Sequence, residues 1–313
     1  MGLWVDVIIA TLIAVALVAM FLLLLNRSKN ICVIIYGQHS PDWMAALAAD
    51  AMVWKKIPAV KKVSIVAASA NASVPGARRN RRQTVIIPLM EEHVASCPAG
   101  YPSLIPARLS MKLFSDKAEF AKYAAANGLA GFCPTSYANG AHAVFPCVLK
   151  RAELNGGQGV AIVESPDHLH SLLNDTMWRG KPFALQSLIS GTTEYVTHCV
   201  CLNGRILWHC SFTFDLESPA TVRGAAKPTT ARLTATSAHC LRQIERFLAP
   251  CRYTGPCNVD YKQLENGEIA IFEINPRLGG SLMQPQYVEL LRGALSCIIE
   301  NALRSFALER PPV

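Results

Sequence analysis

The chain has 313 residues, of which 51% are hydrophobic and 17% charged, and its formal net charge is +8. This apolar content excludes intrinsic disorder as the main state, and the length permits one large domain or two to three small ones. The eleven cysteines are too scattered over a chain of this length to form a disulfide scaffold. They favour free thiols in a reducing compartment.

The first predicted element is an apolar run at residues 7–25, whose one polar member is Thr11. A helix of this length rises about 30 Å, which matches the hydrocarbon core of a bilayer. A cleaved signal peptide is disfavoured because no Lys or Arg precedes the run and no A-x-A-like site follows it. A buried core helix is disfavoured because the run is apolar on every face. We therefore predict a transmembrane helix within an anchor segment, residues 1–30.

Charges on either side of this run predict its orientation. Asp6 precedes it, and Arg27 and Lys29 follow it. Positive charge accumulates on the cytoplasmic side of membrane spans. The sequence therefore predicts a single-pass protein with its N-terminus outside and its catalytic part in the cytoplasm.

The net charge is concentrated next to the predicted membrane. Residues 26–90 carry ten Lys and Arg against Asp42 and Asp50, whereas residues 91–313 carry 20 against 19 acidic residues. A solvated face is the ordinary explanation, but the nearby anchor favours contact with an anionic membrane surface. No aromatic residues interleave with the basic ones, so a nucleic-acid partner is not predicted. The basic residues concerned are Lys55, Lys56, Lys61, Lys62, Arg78, Arg79, Arg81 and Arg82.

Strands and helices alternate in the first part of the chain beyond the anchor. Continuous apolar runs predict buried strands at 31–36, 63–67 and 85–87, with a helix at 42–56. This order predicts a short Rossmann-like α/β lobe over residues 31–108. Gly37 begins no G-x-G-x-x-G fingerprint, so no dinucleotide site is predicted there.

The rest of the chain contains more of the turn patterns that join antiparallel strands. Asn203-Gly204 predicts a tight hairpin turn, and Glu265-Asn266-Gly267 predicts another. Residues 215–232 are rich in Pro, Thr and Ala, and this composition predicts a long loop. Arg223 and Lys227 lie in this loop, and each is interpreted as a flexible cation. Strands are predicted at 147–150, 160–163, 183–189, 195–202, 205–214, 257–263 and 268–274. Helices are predicted at 115–127, 167–174, 234–249 and 285–304.

The hairpin over residues 257–274 carries the most informative residues. Strand alternation puts Glu273 and Asn275 on one face and Phe272 and Ile274 on the other, with Asp260 on the preceding strand within reach of Glu273. Two carboxylates and an amide oxygen suit Mg²⁺, which prefers hard oxygen ligands. A surface hairpin with outward polar residues is the alternative. The run 276–281 that follows, Pro-Arg-Leu-Gly-Gly-Ser, favours a functional site.

With this hairpin, the sequence resembles the ATP-grasp superfamily over about residues 109–300, and more weakly over the lobe before. The resemblance implies an α/β fold in which two α+β lobes, a central one at 109–190 and a C-terminal one at 191–313, grip ATP. It implies that Arg277 stabilises an acyl phosphate. The metal, Mg²⁺ or Mn²⁺, would be bound by Asp260, Glu273 and Asn275.

The same resemblance implies a set of nucleotide contacts. Two lysines would face the phosphates, and a glycine-rich hairpin loop would cover them, because residues without side chains let backbone N–H groups approach. A short segment would bind the adenine edge through its backbone, and an acidic residue would hold the ribose hydroxyls. The two lysines are Lys117 and Lys150, and the loop residues are Gly156, Gly157, Gln158 and Gly159. The adenine-binding segment would be Gln186, Ser187, Leu188 and Ile189, and the ribose-binding residue would be Glu194.

The activity that the resemblance implies is ATP-dependent ligation, in which a small-molecule carboxylate is activated as an acyl phosphate and coupled to an amine. The motif at 275–280 is closer to amino-acid and peptide ligases than to other branches. A kinase-like or carboxylase-like member is the alternative within enzymes. An ATP-binding membrane sensor without turnover and a membrane-surface adaptor are alternatives of other classes. A homodimer is a further expectation.

The pair of strands around residue 200 is rich in cysteine and histidine, which are possible zinc ligands. The candidates have no C-x₂-C spacing, and strand alternation separates His198 from Cys199. Buried cysteines in a sheet are the preferred interpretation. The residues concerned are His198, Cys199, Cys201, His209 and Cys210.

Overall fold

The computed structural model describes residues 30–69, 81–151, 159–223 and 231–308. They form three β-sheets with helices packed around them. The predicted membrane anchor at residues 7–25 lies outside the described residues. Within the described ranges, no helix combines the length and the apolar character needed to cross a bilayer.

The first sheet is parallel, with strand order β2-β1-β3. Its middle strand is almost entirely buried, as a continuous apolar run requires. The predicted helix at 42–56 is too long: it ends at Leu47, because Ala48 takes an extended conformation with ψ 154°. This lobe contains β1 (Ile31–Tyr36), α1 (Pro41–Leu47), β2 (Val60–Val66), β3 (Thr84–Pro88) and α2 (Glu91–Ala95).

The second sheet is antiparallel, with strand order β4-β7-β5-β6. Two helices precede it where one was predicted. Asp116 separates them, because its Oδ1 accepts hydrogen bonds from the backbone N–H groups of Ala118 and Glu119 and so begins the second helix. The elements are α3 (Arg108–Ser115), α4 (Lys117–Ala126), β4 (Ser136–Tyr137), β5 (Cys147–Arg151), β6 (Val160–Val163), α5 (Pro166–Asn174) and β7 (Phe183–Ser187).

The third sheet is antiparallel, with strand order β10-β9-β8-β11-β12. Its last strand leads into a 3₁₀ turn, Gly280–Met283, and then into the long C-terminal helix. The short edge strand β10 was not predicted. The elements are β8 (Thr193–Leu202), β9 (Arg205–Asp215), β10 (Arg232–Thr234), α6 (Ala238–Leu248), β11 (Gly255–Gln263), β12 (Ile269–Asn275) and α7 (Val288–Leu308).

The two faces of the third sheet bury different cores. One face packs with α7 and the first lobe, so that Val200 and Phe212 share a cluster with Trp43 and Leu295. The other face packs with α3, α4 and α6. The first lobe therefore shares a hydrophobic core with the C-terminal sheet, and this shared core fixes its position against that sheet.

A substitution at Ile271 tests the hydrophobic core beneath the hairpin that carries the candidate site. Its side chain is fully buried on β12, whereas Ile65 on β2 is 38% exposed. We expect Ile271→Ala to lower the free energy of unfolding by about 2–5 kcal/mol, because it removes buried methyl groups and leaves a cavity. Ile65→Ala, the matched control, should cost less than about 1 kcal/mol. Urea denaturation followed by circular dichroism measures both, and equal losses would contradict this assignment of the core.

Candidate active site

The three predicted metal ligands lie together where β11 pairs with β12. Asp260 is the register partner of Glu273, and Asn258 is the partner of Asn275. The Asn275 amide nitrogen donates to Asp260 Oδ2 at 3.1 Å and to Asn258 Oδ1 at 3.2 Å. These bonds use the amide N–H groups and direct the Asn275 oxygen away from Asp260.

The register shifts between Asp260 and Tyr261, and this irregularity changes which residues share a face. Ile274 is buried in the core beneath the sheet, but Phe272 is not part of that core. Its ring instead lies 5.5 Å from Lys150 Nζ on the central lobe. The prediction that Phe272 and Ile274 share a face is therefore wrong, because an extra residue at this point inverts the alternation.

Arg223 joins two of the predicted site residues. Its guanidinium bonds to Asp260 Oδ1, and its Nε lies 3.7 Å from Glu194 Oε2. Its backbone N–H also donates to Glu194 Oε1 at 3.0 Å, and the guanidinium stacks 4.4 Å from the Phe214 ring. The interpretation of Arg223 as a flexible loop cation is wrong, because two buried carboxylates bind it.

Two lysines of the central lobe lie near Glu273. Lys117 Nζ lies 3.9 Å from Glu273 Oε1. Lys150 lies on β5, on the face opposite the apolar core that Leu149 enters. Burial lowers the pKa of the Lys150 ammonium, which Glu273 partly counteracts. The central lobe thus presents cations to the acidic hairpin, an arrangement that suits the phosphates of a nucleotide.

The predicted adenine-binding segment, Gln186 to Ile189, begins on β7 and ends beyond it. Gln186 shares its face of the sheet with Lys150, and its side-chain oxygen is buried without a hydrogen-bond partner among the described residues. Ser187 Oγ accepts from the Thr135 backbone N–H at 2.9 Å. Beyond the strand, the Ile189 carbonyl accepts a hydrogen bond from the buried Lys262 at 2.9 Å.

Lys262 was not singled out in the sequence, yet it is fully buried. Its Nζ donates to the carbonyls of Ile189 and Thr221, at 2.9 and 3.0 Å. Burial lowers its pKa, and the nearby Glu194 opposes that effect. Lys262 therefore links the segment predicted to bind adenine to the loop that carries Arg223. The sequence does contain a signal for Lys262. It follows Asp260 by two residues, and strand alternation places both side chains on one face of the sheet.

Glu194 lies at the start of β8 and is almost completely buried. Burial raises the pKa of its carboxyl group, and the hydrogen bond from the Arg223 backbone N–H opposes the rise. The structure brings Glu194 to the same guanidinium as Asp260. The predicted ribose-binding residue and the predicted metal ligand therefore share one counter-ion.

Arg277, the predicted catalytic residue, lies where the C-terminal lobe meets the first lobe. Its Nε is 3.2 Å from Glu91 Oε1 on α2, and its Nη2 donates to Asn275 Oδ1 at 3.5 Å. The Arg277 carbonyl accepts from Asn258 Nδ2 at 3.1 Å. Glu91 was missed in the sequence, because nothing local connects it to a residue so distant along the chain.

Part of the predicted glycine-rich loop can be placed. Gly159 has φ +64°, a left-handed conformation that glycine adopts without strain, and its carbonyl accepts from Arg151 N–H at 2.8 Å. Gly156, Gly157, Gln158 and Lys227 lie outside the described residues, and their predicted roles stay predictions.

The donor set suits a small hard cation. Two carboxylates and one amide are oxygen ligands of the kind that Mg²⁺ binds, and the cations around them could hold phosphates. The described residues contain no group of three or more His, Cys, Asp or Glu positioned to hold a metal ion. All eleven cysteines are described, and each is free. A cation beside Asp260 and Glu273 would therefore need the Asn275 amide to turn, because its nitrogen bonds to Asp260 and its oxygen accepts from Arg277.

Comparisons with known proteins identify the fold. No protein-family model matches the sequence, and no curated protein matches it. Among solved structures, the chain is similar to D-alanine–D-alanine ligase from Bacillus anthracis complexed with ATP, with a TM-score of 0.59, 16% identity, and coverage of 90% of this chain and 99% of that one. It is also similar to the biotin carboxylase–beta-gamma-ATP complex from Campylobacter jejuni, with a TM-score of 0.58, 15% identity, and coverage of 90% of this chain and 72% of that one.

A third similar structure is the L-amino acid ligase from Bacillus licheniformis, with a TM-score of 0.54, 14% identity, and coverage of 87% and 74%. At these identities the similarity establishes fold. The described chain has an α/β ATP-grasp-like fold, as the sequence predicted.

Arg223 yields a prediction about the charge balance of this site. We expect Arg223→Gln to lower the free energy of unfolding by about 2–3 kcal/mol, because Asp260 and Glu194 lose their shared partner. Added Mg²⁺ should restore part of that stability in Arg223→Gln, since a divalent cation can then neutralise Asp260. Thermal denaturation with and without MgCl₂ measures both effects.

Arg232→Gln is the matched control, because the exposed Arg232 pairs with Asp215 on the edge of the same sheet. It should change stability by at most about 1 kcal/mol and show no specific response to Mg²⁺. Identical behaviour of the two variants would contradict the role given to Arg223.

Proposed function

We propose that this protein is an ADP-forming, Mg²⁺-dependent ligase that activates a carboxylate with ATP and couples it to an amine. One observation carries the proposal: an acidic hairpin and a set of cations, contributed by two facing lobes, converge on one cleft. Asp260 and Glu273 are opposed on adjacent strands, and Lys117 contacts Glu273 from the other lobe. Such a cleft can hold a metal and a triphosphate together.

Each residue has a task in this reaction that its position supports. Asp260, Glu273 and Asn275 would hold Mg²⁺ or Mn²⁺, which when bound neutralises phosphate charge. Lys117 and Lys150 would bind phosphate oxygens, and Arg277 would stabilise negative charge as the substrate carboxylate attacks the γ-phosphate. The amine then displaces phosphate. No side-chain nucleophile is required, because positioning and charge neutralisation supply the catalysis.

The solved structures with this fold favour nucleotide and amino-acid chemistry. One carries ATP, and two are ligases of D-alanine or of L-amino acids. Others are a biotin carboxylase and an N5-carboxyaminoimidazole synthase. We favour an amino-acid or peptide ligase, because the Asn-Pro-Arg-Leu-Gly-Gly run also favours it. A carboxylase-like or kinase-like activity is the second candidate, since the same cleft would serve both.

We further propose that residues 7–25 anchor the enzyme in a membrane, with the catalytic part in the cytoplasm. The apolar run and the flanking charges of the sequence support this. The excess of basic residues on the neighbouring lobe would then contact anionic lipid headgroups. Lys61 and Lys62 are exposed on β2, where a lipid surface could reach them.

Turnover tests the proposed activity. The full-length protein in detergent, given Mg·ATP and a pool of amino acids, should release ADP and phosphate. Glu273→Gln should reduce this release at least about a hundredfold, because a metal ligand is lost. Glu265→Gln, at the exposed turn of the same hairpin, should retain wild-type activity. Coupled assays for ADP and phosphate measure the rates, and unchanged activity in Glu273→Gln would disprove the metal assignment.

Membrane attachment is tested by fractionation. The full-length protein should stay with membranes in high salt, because burial of an apolar helix does not depend on screening. A variant lacking residues 1–29 should leave the membrane when salt is raised, since only its basic surface would attract lipid. Recovery of the full-length protein in the high-salt supernatant would contradict the anchor.

A further inference from the structure

A buried histidine lies beside the proposed active site and takes no part in the functions described so far. His198 is fully buried on β8, directly opposite Asn258 in the sheet. Its Nε2 lies 2.8 Å from Ser281 Oγ. Its Nδ1 is buried and has no hydrogen-bond partner among the described residues. The ring packs edge-on against Phe212, with the centroids 5.5 Å apart.

The surroundings of this ring keep it neutral. Burial lowers the pKa of His198 to about 3, and the nearby Arg223 and Arg277 add to this effect. A neutral imidazole has one N–H, which is on either Nδ1 or Nε2. A buried N–H without an acceptor costs more than a bare lone pair in the same place, so the proton belongs on Nε2. Nε2 then donates to Ser281 Oγ.

This tautomer has a consequence for Ser281. A hydroxyl that accepts a hydrogen bond from histidine keeps its own hydrogen for another acceptor. Within the described part of the chain, no other side chain or carbonyl bonds to Ser281 Oγ. Ser281 is partly buried in the 3₁₀ turn that follows β12. It is therefore a hydrogen-bond donor whose acceptor is absent from the described residues, and the bond from His198 restricts the directions in which its O–H can point.

The turn that carries Ser281 is held close to His198 and Arg277. A Cβ atom on Gly279 would lie 2.5 Å from His198 Cε1, so only glycine allows the turn to approach this closely. The Arg277 carbonyl is bound by Asn258, which flanks the same glycine. Trp43 of the first lobe covers the other side, where its Nε1 would be 3.6 Å from a Cβ on Gly280.

We propose that Ser281 donates a hydrogen bond to the carboxylate of the acid substrate, beside Arg277, and that His198 is the positioning residue that fixes the direction of this hydroxyl. The inference rests on the proposed function and names the binding subsite of the acid. A carboxylate fits because the free hydrogen of the Ser281 hydroxyl and the guanidinium four residues earlier can both donate to it, and the guanidinium is positively charged. The same guanidinium would repel a cationic amine.

The first test reads the tautomer and needs no substrate. The full-length protein in detergent is labelled with ¹⁵N-histidine, and the His198 signals are assigned by their loss in His198→Gln. Between about pH 5 and pH 8 they should show a neutral ring protonated at Nε2. In Ser281→Ala the Nε2 signal should shift, because its acceptor is gone. A proton on Nδ1, or a charged ring in this range, would overturn the proposal.

The second test uses acetate as the smallest carboxylate and acetamide as its uncharged counterpart. Acetate should move the His198 signals of the Mg·ADP-bound wild type, because it draws on the Ser281 hydroxyl. Acetamide should not move them, and Ser281→Ala should not respond to acetate. An equal response of wild type and Ser281→Ala, or none in the wild type, would count against the subsite.

Kinetics with the acid that gives the highest turnover complete the test. Ser281→Ala should raise KM for that acid about ten- to a hundredfold, the loss expected for one hydrogen bond to a charged group. The Kd for Mg·ATP should stay within about twofold. Ser281→Thr keeps the hydroxyl, and in His198→Gln the amide N–H can replace Nε2–H. Both variants should therefore have a KM close to that of the wild type. His198→Leu has no such donor and should not have a KM close to that of the wild type.

These readouts separate the two proposals. If no acid supports ATP turnover but the acetate response depends on Ser281, the ligase function fails and the carboxylate subsite stands. If turnover occurs and KM is the same in Ser281→Ala, the ligase function stands and the subsite is refuted. A fall in kcat without a rise in KM would also refute it, because the hydroxyl would then act outside substrate binding.

Discussion

The juxtaposition of Asp260 and Glu273 across β11 and β12 is the constraint around which the candidate site is organised. Two carboxylates held on neighbouring strands repel each other unless cations lie nearby. The chain supplies these cations from distant segments: Arg223 from the loop after β9, and Lys117 from the start of α4. The metal and nucleotide proposed to bind in this cleft would have to rearrange an existing charge balance, because Asp260 already pairs with Arg223.

The same region also joins the lobes. The first lobe shares its apolar core with the C-terminal sheet, and Glu91 pairs with Arg277 across that boundary. The turn after β12 lies between them, held by Asn258 on one side and covered by Trp43 on the other. A substrate bound at this turn would contact both lobes. In the proposed enzyme, the short first lobe would therefore take part in substrate binding although it carries no recognisable motif.

Most strands and helices follow from hydrophobic patterning, and their predicted positions agree with the structure to within a few residues. The errors occur where tertiary contacts override local signals or where a helix is too short to show a clear hydrophobic period. The helix from Pro41 stops at Leu47, where Trp54 Nε1 donates to its last carbonyl, and α2 and α3 were missed because they are short. Within the hairpin, the irregular register turned Phe272 toward Lys150, which strict alternation does not anticipate.

By itself, the sequence determined the α/β class and predicted the acidic hairpin and the residues around it, because periodicity and motif spacing are local properties. It also located the basic lobe and the apolar N-terminal run. Only the tertiary structure decided that Arg223 binds both Asp260 and Glu194, that the buried Lys262 bonds to the Ile189 carbonyl, and that His198 faces Ser281. These contacts join residues 29 to 83 positions apart, and no local pattern records which distant side chain will complete a buried charge or hydrogen bond.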